Sequence, residues 1–250
     1  MNKVVVITGA AGGIGGATVD AFANAGWQVV GIDLREAHHP CENVRYIQSD
    51  ISCPHALQTI FDNIFRHEGH IEALVNNAAL QICKPLLETT PEEWDAVMDA
   101  NLRSVFLAIR HTVPMMKESG GGSIVNVSSV HAIATSKNIA AYAASKGALL
   151  AFTRAAALEF GQDNIRVNAI LPGAIDTPML HAGLSRGHVN GNNIDELVRG
   201  LGHKHVMGRV GQPQEIGKAI LFLADPVQSS FMTGQALVVD GGATARLSTE

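Results

Sequence analysis

Tyr142 and Lys146 stand four residues apart within Ala140–Phe160, a stretch rich in Ala and Leu that reads as a helix. At that spacing two side chains share a helix face. A tyrosine phenol has an ordinary pKa of about 10, so little phenolate exists at neutral pH. A neighbouring ammonium favours the anion and lowers that value. The pair is therefore a base that takes a hydroxyl proton, or an acid that returns it. Such pairs also arise by chance on helices, but this chain holds only two tyrosines.

A second group of residues suits a phosphate. The run Val4–Thr8 is apolar and β-branched, and passes into Gly9-Ala10-Ala11-Gly12-Gly13-Ile14-Gly15. Glycines let a backbone turn tightly and approach a pyrophosphate closely. The helix expected next points its free N–H groups and positive dipole end at that phosphate. The spacing, Gly-x-x-x-Gly-x-Gly, differs from the ordinary dinucleotide fingerprint. Asp33 ends the following apolar run. A carboxylate there accepts from the adenosine ribose hydroxyls and repels a 2′-phosphate, which favours NAD over NADP. Arg35 lies close enough to soften the repulsion.

These groups need a scaffold, and the chain alternates short β-rich runs with longer helical ones. Strands are expected at Val4–Thr8, Gln28–Asp33, Val44–Gln48, Ala73–Asn76, Ser123–Ser128, Arg166–Leu171 and Ala236–Asp240. Helices are expected at Gly13–Gly26, Pro54–His67, Pro91–Met116, Ala140–Phe160 and Pro213–Ala224. Within them Ala17, Phe22 and Ala23 should pack inward, and Thr90 should cap the third helix with Pro91 at its first position. Trp27 and Trp94 read as packing residues. The alternation predicts an α/β fold: one doubly wound, Rossmann-type parallel sheet with helices on both faces, binding ligands at the carboxyl ends of its strands. Residues 1–250 are expected to form a single dinucleotide-binding and catalytic domain. The exception to the alternation is 179–211, a polar, Gly-rich insertion that reads as a substrate lid. Its four histidines, His181, His188, His203 and His205, read as solvated, with no metal site.

Composition bounds the rest. Of 250 residues, 46% are hydrophobic and only 16% charged, against roughly 25% charged in typical soluble domains. That argues against disorder and for surface buried between copies of the chain. A net charge of −5 is no footprint for nucleic acid. No apolar stretch reaches the roughly 18 residues of a membrane helix, and Thr8-Gly9 stops the first apolar run short of a signal core. Cys41, Cys53 and Cys83 are odd in number and lack metal-ligand spacing, which suits reduced thiols in the cytoplasm.

Taken in order, these motifs resemble the short-chain dehydrogenase/reductase family over essentially the whole chain. The glycine turn is similar to that family's own variant. Asn76-Asn77-Ala78-Ala79 resembles its Asn-Asn-Ala-Gly segment, with Ala79 where Gly is usual. Asn101 sits where the family has an Asn in its long central helix. Ser129 precedes Tyr142 by thirteen residues, the family's spacing for its catalytic serine, with Ser128 the lesser candidate. Pro172-Gly173-Ala174-Ile175-Asp176-Thr177 and Asp240-Gly241-Gly242 resemble its nicotinamide loop and C-terminal ending.

The resemblance implies roles. Tyr142 exchanges a proton with the alcohol oxygen while the cofactor exchanges hydride with carbon. Lys146 lowers the Tyr142 pKa and holds the nicotinamide ribose. Ser129 hydrogen-bonds the substrate oxygen, and Asn101 helps hold a water chain from Lys146 to solvent. Gly9, Gly12, Gly13, Ile14, Gly15, Asp33, Leu34, Asp50, Ile51, Asn77 and Ala78 would receive the adenosine and pyrophosphate. Pro172, Gly173, Ile175 and Thr177 would receive the carboxamide end. His131 and Gln81 join Ser129 as expected substrate contacts. The expectation is an NAD-dependent alcohol dehydrogenase or ketone reductase acting as a homotetramer, with neither metal, membrane nor nucleic acid as partner. The main competitor is a 3-oxoacyl-[acyl-carrier-protein] reductase type. A noncatalytic NAD-sensing protein is less favoured, because Tyr142, Lys146 and Ser129 are all present.

Overall fold

The computed structural model describes residues 3–184 and 193–245. Its framework is a seven-stranded sheet: β1 (Val4–Thr8), β2 (Gln28–Asp33), β3 (Val44–Gln48), β4 (Ala73–Asn76), β5 (Gly122–Val127), β6 (Ile165–Pro172) and β7 (Ala236–Val239). The order across it is β3-β2-β1-β4-β5-β6-β7, and every neighbouring pair is parallel. Chain order reverses between β1 and β4, so a crevice opens at their carboxyl ends.

The strands read as continuous apolar runs because both faces are covered. Successive residues of β1 alternate between two cores. Val4 and Val6 pack with Leu57, Phe61 and Ile64 of α2 (Pro54–Glu68), and with residues of α4 (Ser104–Glu118) and α5 (Ala140–Phe160). Val5 and Ile7 pack on the opposite face with Val19 and Phe22 of α1 (Gly13–Asn24) and Ile216 and Ile220 of α8 (Pro213–Ala224).

The expected helices are present, with informative adjustments. α1 stops at Asn24, just before Gly26 at φ +79°. Helix α3 (Pro91–Met98) starts at a reciprocal cap in which Thr90 Oγ1 accepts from Glu93 N and Glu93 Oε2 accepts from Thr90 N. The long region from Pro91 does not run as plain α-helix. Asp99–Arg103 forms a π turn before α4 resumes at Ser104. Trp27 is buried with its ring edge 5.1 Å from Phe22. Trp94, expected to pack, is 37% exposed, because its turn of α3 faces outward.

The described part of 179–211 is more regular than its composition suggests. It carries α6 (Pro178–Leu184) and α7 (Ile194–Gly202). Asn193 caps α7 by accepting from Asp195 N and Glu196 N. His188 lies outside the described residues. The short α9 (Pro226–Ser229) follows α8.

Candidate active site

One cleft of about 1350 Å³ runs along the carboxyl ends of the strands. At one end is the glycine turn. Its backbone closes through Gly12 N donating to Gly9 O at 3.1 Å. A Cβ at position 15 would stand 2.0 Å from Gly9 O, so only glycine fits there. The N-cap of α1 is Gly12, with no side-chain cap and no acidic residue in the first turn. The orphan N–H groups and the positive helix end are therefore left uncompensated by the protein.

Asn77 braces this turn. Its Nδ2 donates to the carbonyls of Thr8 and Gly9, each at 3.0 Å, while Thr8 Oγ1 accepts from Asn77 N and Ala78 N. The Asn77 side-chain nitrogen thus joins β1 to β4, and the residue lines the cleft beside the turn.

Asp33 reaches the turn from the end of β2. Its Oδ2 accepts from Ala11 N at 2.9 Å, and Oδ1 accepts from Arg35 N and Arg35 Nε at 3.0 and 3.1 Å. Burial alone would raise the Asp33 pKa, but the bonds from Arg35 and Ala11 outweigh it and hold the carboxyl below its ordinary value. Leu34, Asp50 and Ile51 line the same end. Asp50 is fixed by accepting from Ser52 N and Ser52 Oγ. A glycine cradle, an uncapped helix N-terminus and a buried carboxylate at the second strand together fit a nicotinamide dinucleotide.

At the other end β5 delivers the serines and α5 delivers Tyr142 and Lys146. All four side chains are buried. Ser129 sits close enough to the Tyr142 phenol to oppose the rise of its pKa, and Ser129 Oγ accepts from His131 N at 3.2 Å. Ser128 faces away, donating to the Lys146 carbonyl at 2.9 Å. The Lys146 ammonium donates to Val127 O at 2.8 Å and lies 5.5 Å from the Tyr142 ring centroid.

The expected lowering of the Tyr142 pKa by Lys146 is not found in the free chain. Burial pushes the phenol up to about 12, against the opposing pull of Ser129, and Cys83 adds to the rise. Burial also pulls Lys146 down to about 8. Desolvation disfavours both charged forms, and it exceeds what an ammonium directed at Val127 O contributes.

Asn101 sits in the π turn, a feature frequent at functional sites. Its Oδ1 accepts from Leu80 N at 2.7 Å, and its Nδ2 donates to Leu80 O and Ser145 Oγ, each at 2.9 Å. Ser145 in turn donates to Tyr142 O at 2.7 Å. The Asn101 amide clamps the segment after β4 onto the turn of α5 that carries Tyr142.

Pro172, Gly173, Ile175 and Thr177 line the cleft beyond β6. Gly173 N donates to Val239 O, Ile175 bridges to Gly211, and Thr177 Oγ1 donates to Ile175 O. The lid histidines divide. His203 is exposed, and His181 Nε2 lies 2.7 Å from Asp176 Oδ1. His205, expected to be solvated, is buried. Its Nδ1 lies 3.0 Å from Leu201 O, and its Nε2 accepts from Ala174 N at 3.4 Å. It fills the space beneath the nicotinamide-type loop, which a solvated side chain would leave open.

His131 and Gln81 also line the cleft, as expected of substrate contacts. Two further residues escaped the sequence reading. Ser145 was visible as the third residue after Tyr142, on the same helix face. Cys83, close enough to influence Tyr142, follows a strand with no periodic signal to place it.

A family model described as enoyl-(acyl carrier protein) reductase matches residues 9–244. The chain is 36% identical over 253 residues to a cyclopentanol dehydrogenase from Comamonas testosteroni, covering 98% of each chain. It is also 36% identical to a 3-oxoacyl-[acyl-carrier-protein] reductase from Thermotoga maritima, covering 96% of this chain and 97% of that one. The solved ligand-free structure of Thermoplasma acidophilum aldohexose dehydrogenase superposes with a TM-score of 0.92 at 35% identity, covering 99% of this chain and 96% of that one.

Proposed function

This chain belongs to the short-chain dehydrogenase/reductase family, and we propose that it interconverts a secondary alcohol and a ketone with NAD(H). The observation that carries the reading is the buried cluster of Ser129, Tyr142 and Lys146 at the end of β5, with the Lys146 ammonium 5.5 Å from the Tyr142 ring centroid. When bound, the dinucleotide supplies or accepts a hydride at the substrate carbon.

Tyr142 handles the accompanying proton. With its pKa pushed up to about 12 by burial, the phenol of the free chain holds its proton at neutral pH. That suits it to donate to a ketone oxygen as hydride arrives. In the oxidative direction it must first give that proton up. An alcohol oxygen at Ser129 and Tyr142 then finds one fixed donor and one base. Lys146 holds the nicotinamide ribose hydroxyls, with Asn101 positioning the Tyr142 turn through Ser145. Asp33 favours the unphosphorylated ribose of NAD. The segment 179–211 acts as a lid over the substrate end of a single catalytic unit.

Assembly into a homotetramer belongs to the same reading, supported by the exposed Leu158 on α5 and by Phe231 beside the outer strand β7. A cytoplasmic setting is supported by three cysteines without disulfide partners.

The test is a fluorescence titration of the purified chain with NADH and NADPH, followed by turnover of a panel of secondary alcohols. Tight NADH, weak NADPH and alcohol-dependent NADH formation are expected. Tight NADPH with turnover only of 3-oxoacyl thioesters would replace this reading with that of a carrier-protein reductase.

A further inference from the structure

We infer that His131 is a specificity residue that selects substrates bearing a second oxygen on the carbon next to the reacting one, as in a vicinal diol or an α-hydroxyketone. The inference rests on the alcohol–ketone reading and narrows it.

The position of the ring carries the argument. Its centroid lies 5.9 Å from that of Tyr142, with the planes at 79°. The imidazole therefore stands edge-on beside the phenol that meets the reacting oxygen, and both line the same cleft. Its orientation is fixed at two points. His131 N donates to Ser129 Oγ at 3.2 Å, and His131 Nδ1 lies 3.0 Å from Thr135 Oγ1. A ring held through Nδ1 has its other nitrogen available, and Nε2 has no hydrogen-bond partner among the described residues.

On the cleft wall, Nε2 is a polar group placed to meet an oxygen of a bound molecule. With the two rings side by side, hydrogen bonds of about 3 Å from Nε2 and from the Tyr142–Ser129 pair would reach oxygens on neighbouring carbons. Burial lowers the His131 pKa, so at neutral pH the ring is uncharged. An uncharged ring can donate to a carbonyl or accept from a hydroxyl according to tautomer. That matches a neutral hydroxyl or keto neighbour better than a carboxylate. A second residue of the cleft has the same polarity. Gln81 lies where lid helix α6 comes down, its Oε1 3.7 Å from where a Cβ on Gly183 would stand.

The experiment compares kcat/KM for cyclohexanol and trans-1,2-cyclohexanediol, with the coenzyme that the full-length chain binds. Wild type is expected to favour the diol about tenfold or more, as sites built around a substrate hydroxyl do. His131→Leu should remove that preference, and His131→Gln, which keeps a polar group at similar reach, should restore part of it. NADH titration of each variant verifies an intact fold. If wild type treats the two alcohols alike, or an NADH-binding His131→Leu keeps the preference, the inference is overturned while cyclohexanol turnover leaves the alcohol–ketone reading standing. If NADH-binding wild type oxidises neither alcohol and does not reduce 2-hydroxycyclohexanone, the inference falls together with the reading beneath it.

Discussion

Ser128 Oγ donates to the Lys146 carbonyl at 2.9 Å while Lys146 Nζ donates to Val127 O at 2.8 Å. The lysine is therefore pinned at its backbone and at its ammonium to the carboxyl end of β5. This divides the labour of two adjacent serines. Alternation along the extended chain turns one hydroxyl to the helix and the other to the phenol.

Ser129→Ala should lower kcat by about 100-fold or more, the usual loss when one donor to a reacting oxygen is removed. Its stability should change little. Ser128→Ala should instead cost about 0.5–1.5 kcal/mol, because the Lys146 carbonyl, still bonded within α5, loses a second hydrogen bond. Its kcat should fall much less. Steady-state kinetics beside urea denaturation of both variants checks the division. Equal kinetic losses would assign both hydroxyls to the chemistry.

The buried pair also sets a pH dependence of stability. Lys146 titrates at about 8 in the folded chain against an ordinary 10.5. Between those values the unfolded chain binds the proton that the folded chain has released, so Lys146 makes stability rise with pH in that window. Tyr142 acts the other way. Its folded value of about 12 exceeds the ordinary 10.0, so stability falls as pH climbs from 10 to 12. Urea midpoints between pH 7 and 11 should show a rise followed by a fall. Lys146→Met should remove the rise and, by replacing a buried charge, gain about 1–4 kcal/mol at pH 7 while losing turnover. A wild-type midpoint that declines steadily from pH 7 would contradict this account of Lys146.

Asp33 has a structural task as well as a selective one. Asp33→Ala should reduce the NAD-to-NADP ratio of kcat/KM by about tenfold or more, since the carboxylate no longer repels a 2′-phosphate and Arg35 is left free to meet it. It should also cost about 1–3 kcal/mol, because Ala11 N loses its acceptor. Coenzyme kinetics and thermal melts report the two effects separately. An unchanged ratio would remove Asp33 from coenzyme selection.

Much of this site was legible because close approach and burial leave marks in residue type. β1 reads as a strand because Val4, Val5, Val6 and Ile7 feed two cores in alternation, and its end reads as a phosphate turn because glycine alone fits there. Asn101 was found by motif, but not its bonds to Leu80 and Ser145. The π turn within Pro91–Met116 goes with the bonds of Asn101 to Leu80 and Ser145, distant contacts that helical periodicity does not encode. His205 looked like part of a polar insertion because its burial depends on the distant Ala174 and Gly241, contacts that composition does not encode. The Tyr142 pKa rises where the residue types implied a fall, because spacing gives the nearness of Lys146 but not the dryness around both groups.

Two glycines of α1 separate turn geometry from helix propensity. At position 15 a Cβ would stand 2.0 Å from Gly9 O and 2.8 Å from Asn77 Nδ2. Backbone and brace would both have to move. Gly15→Ala should therefore disrupt the turn, weaken NADH binding at least tenfold and destabilise the chain. At position 16 the nearest atom to an added Cβ is Ala10 O, at 3.8 Å, an ordinary contact. There alanine only restricts the unfolded chain and improves helix propensity. Gly16→Ala should gain about 0.5–1 kcal/mol, or roughly 2–4 °C in Tm per kcal/mol for a chain of this size, with NADH affinity retained. NADH titrations and melts of the two variants decide it. Equal tolerance at both positions would mean that the close approach of Gly15 to Gly9 does not shape the coenzyme turn.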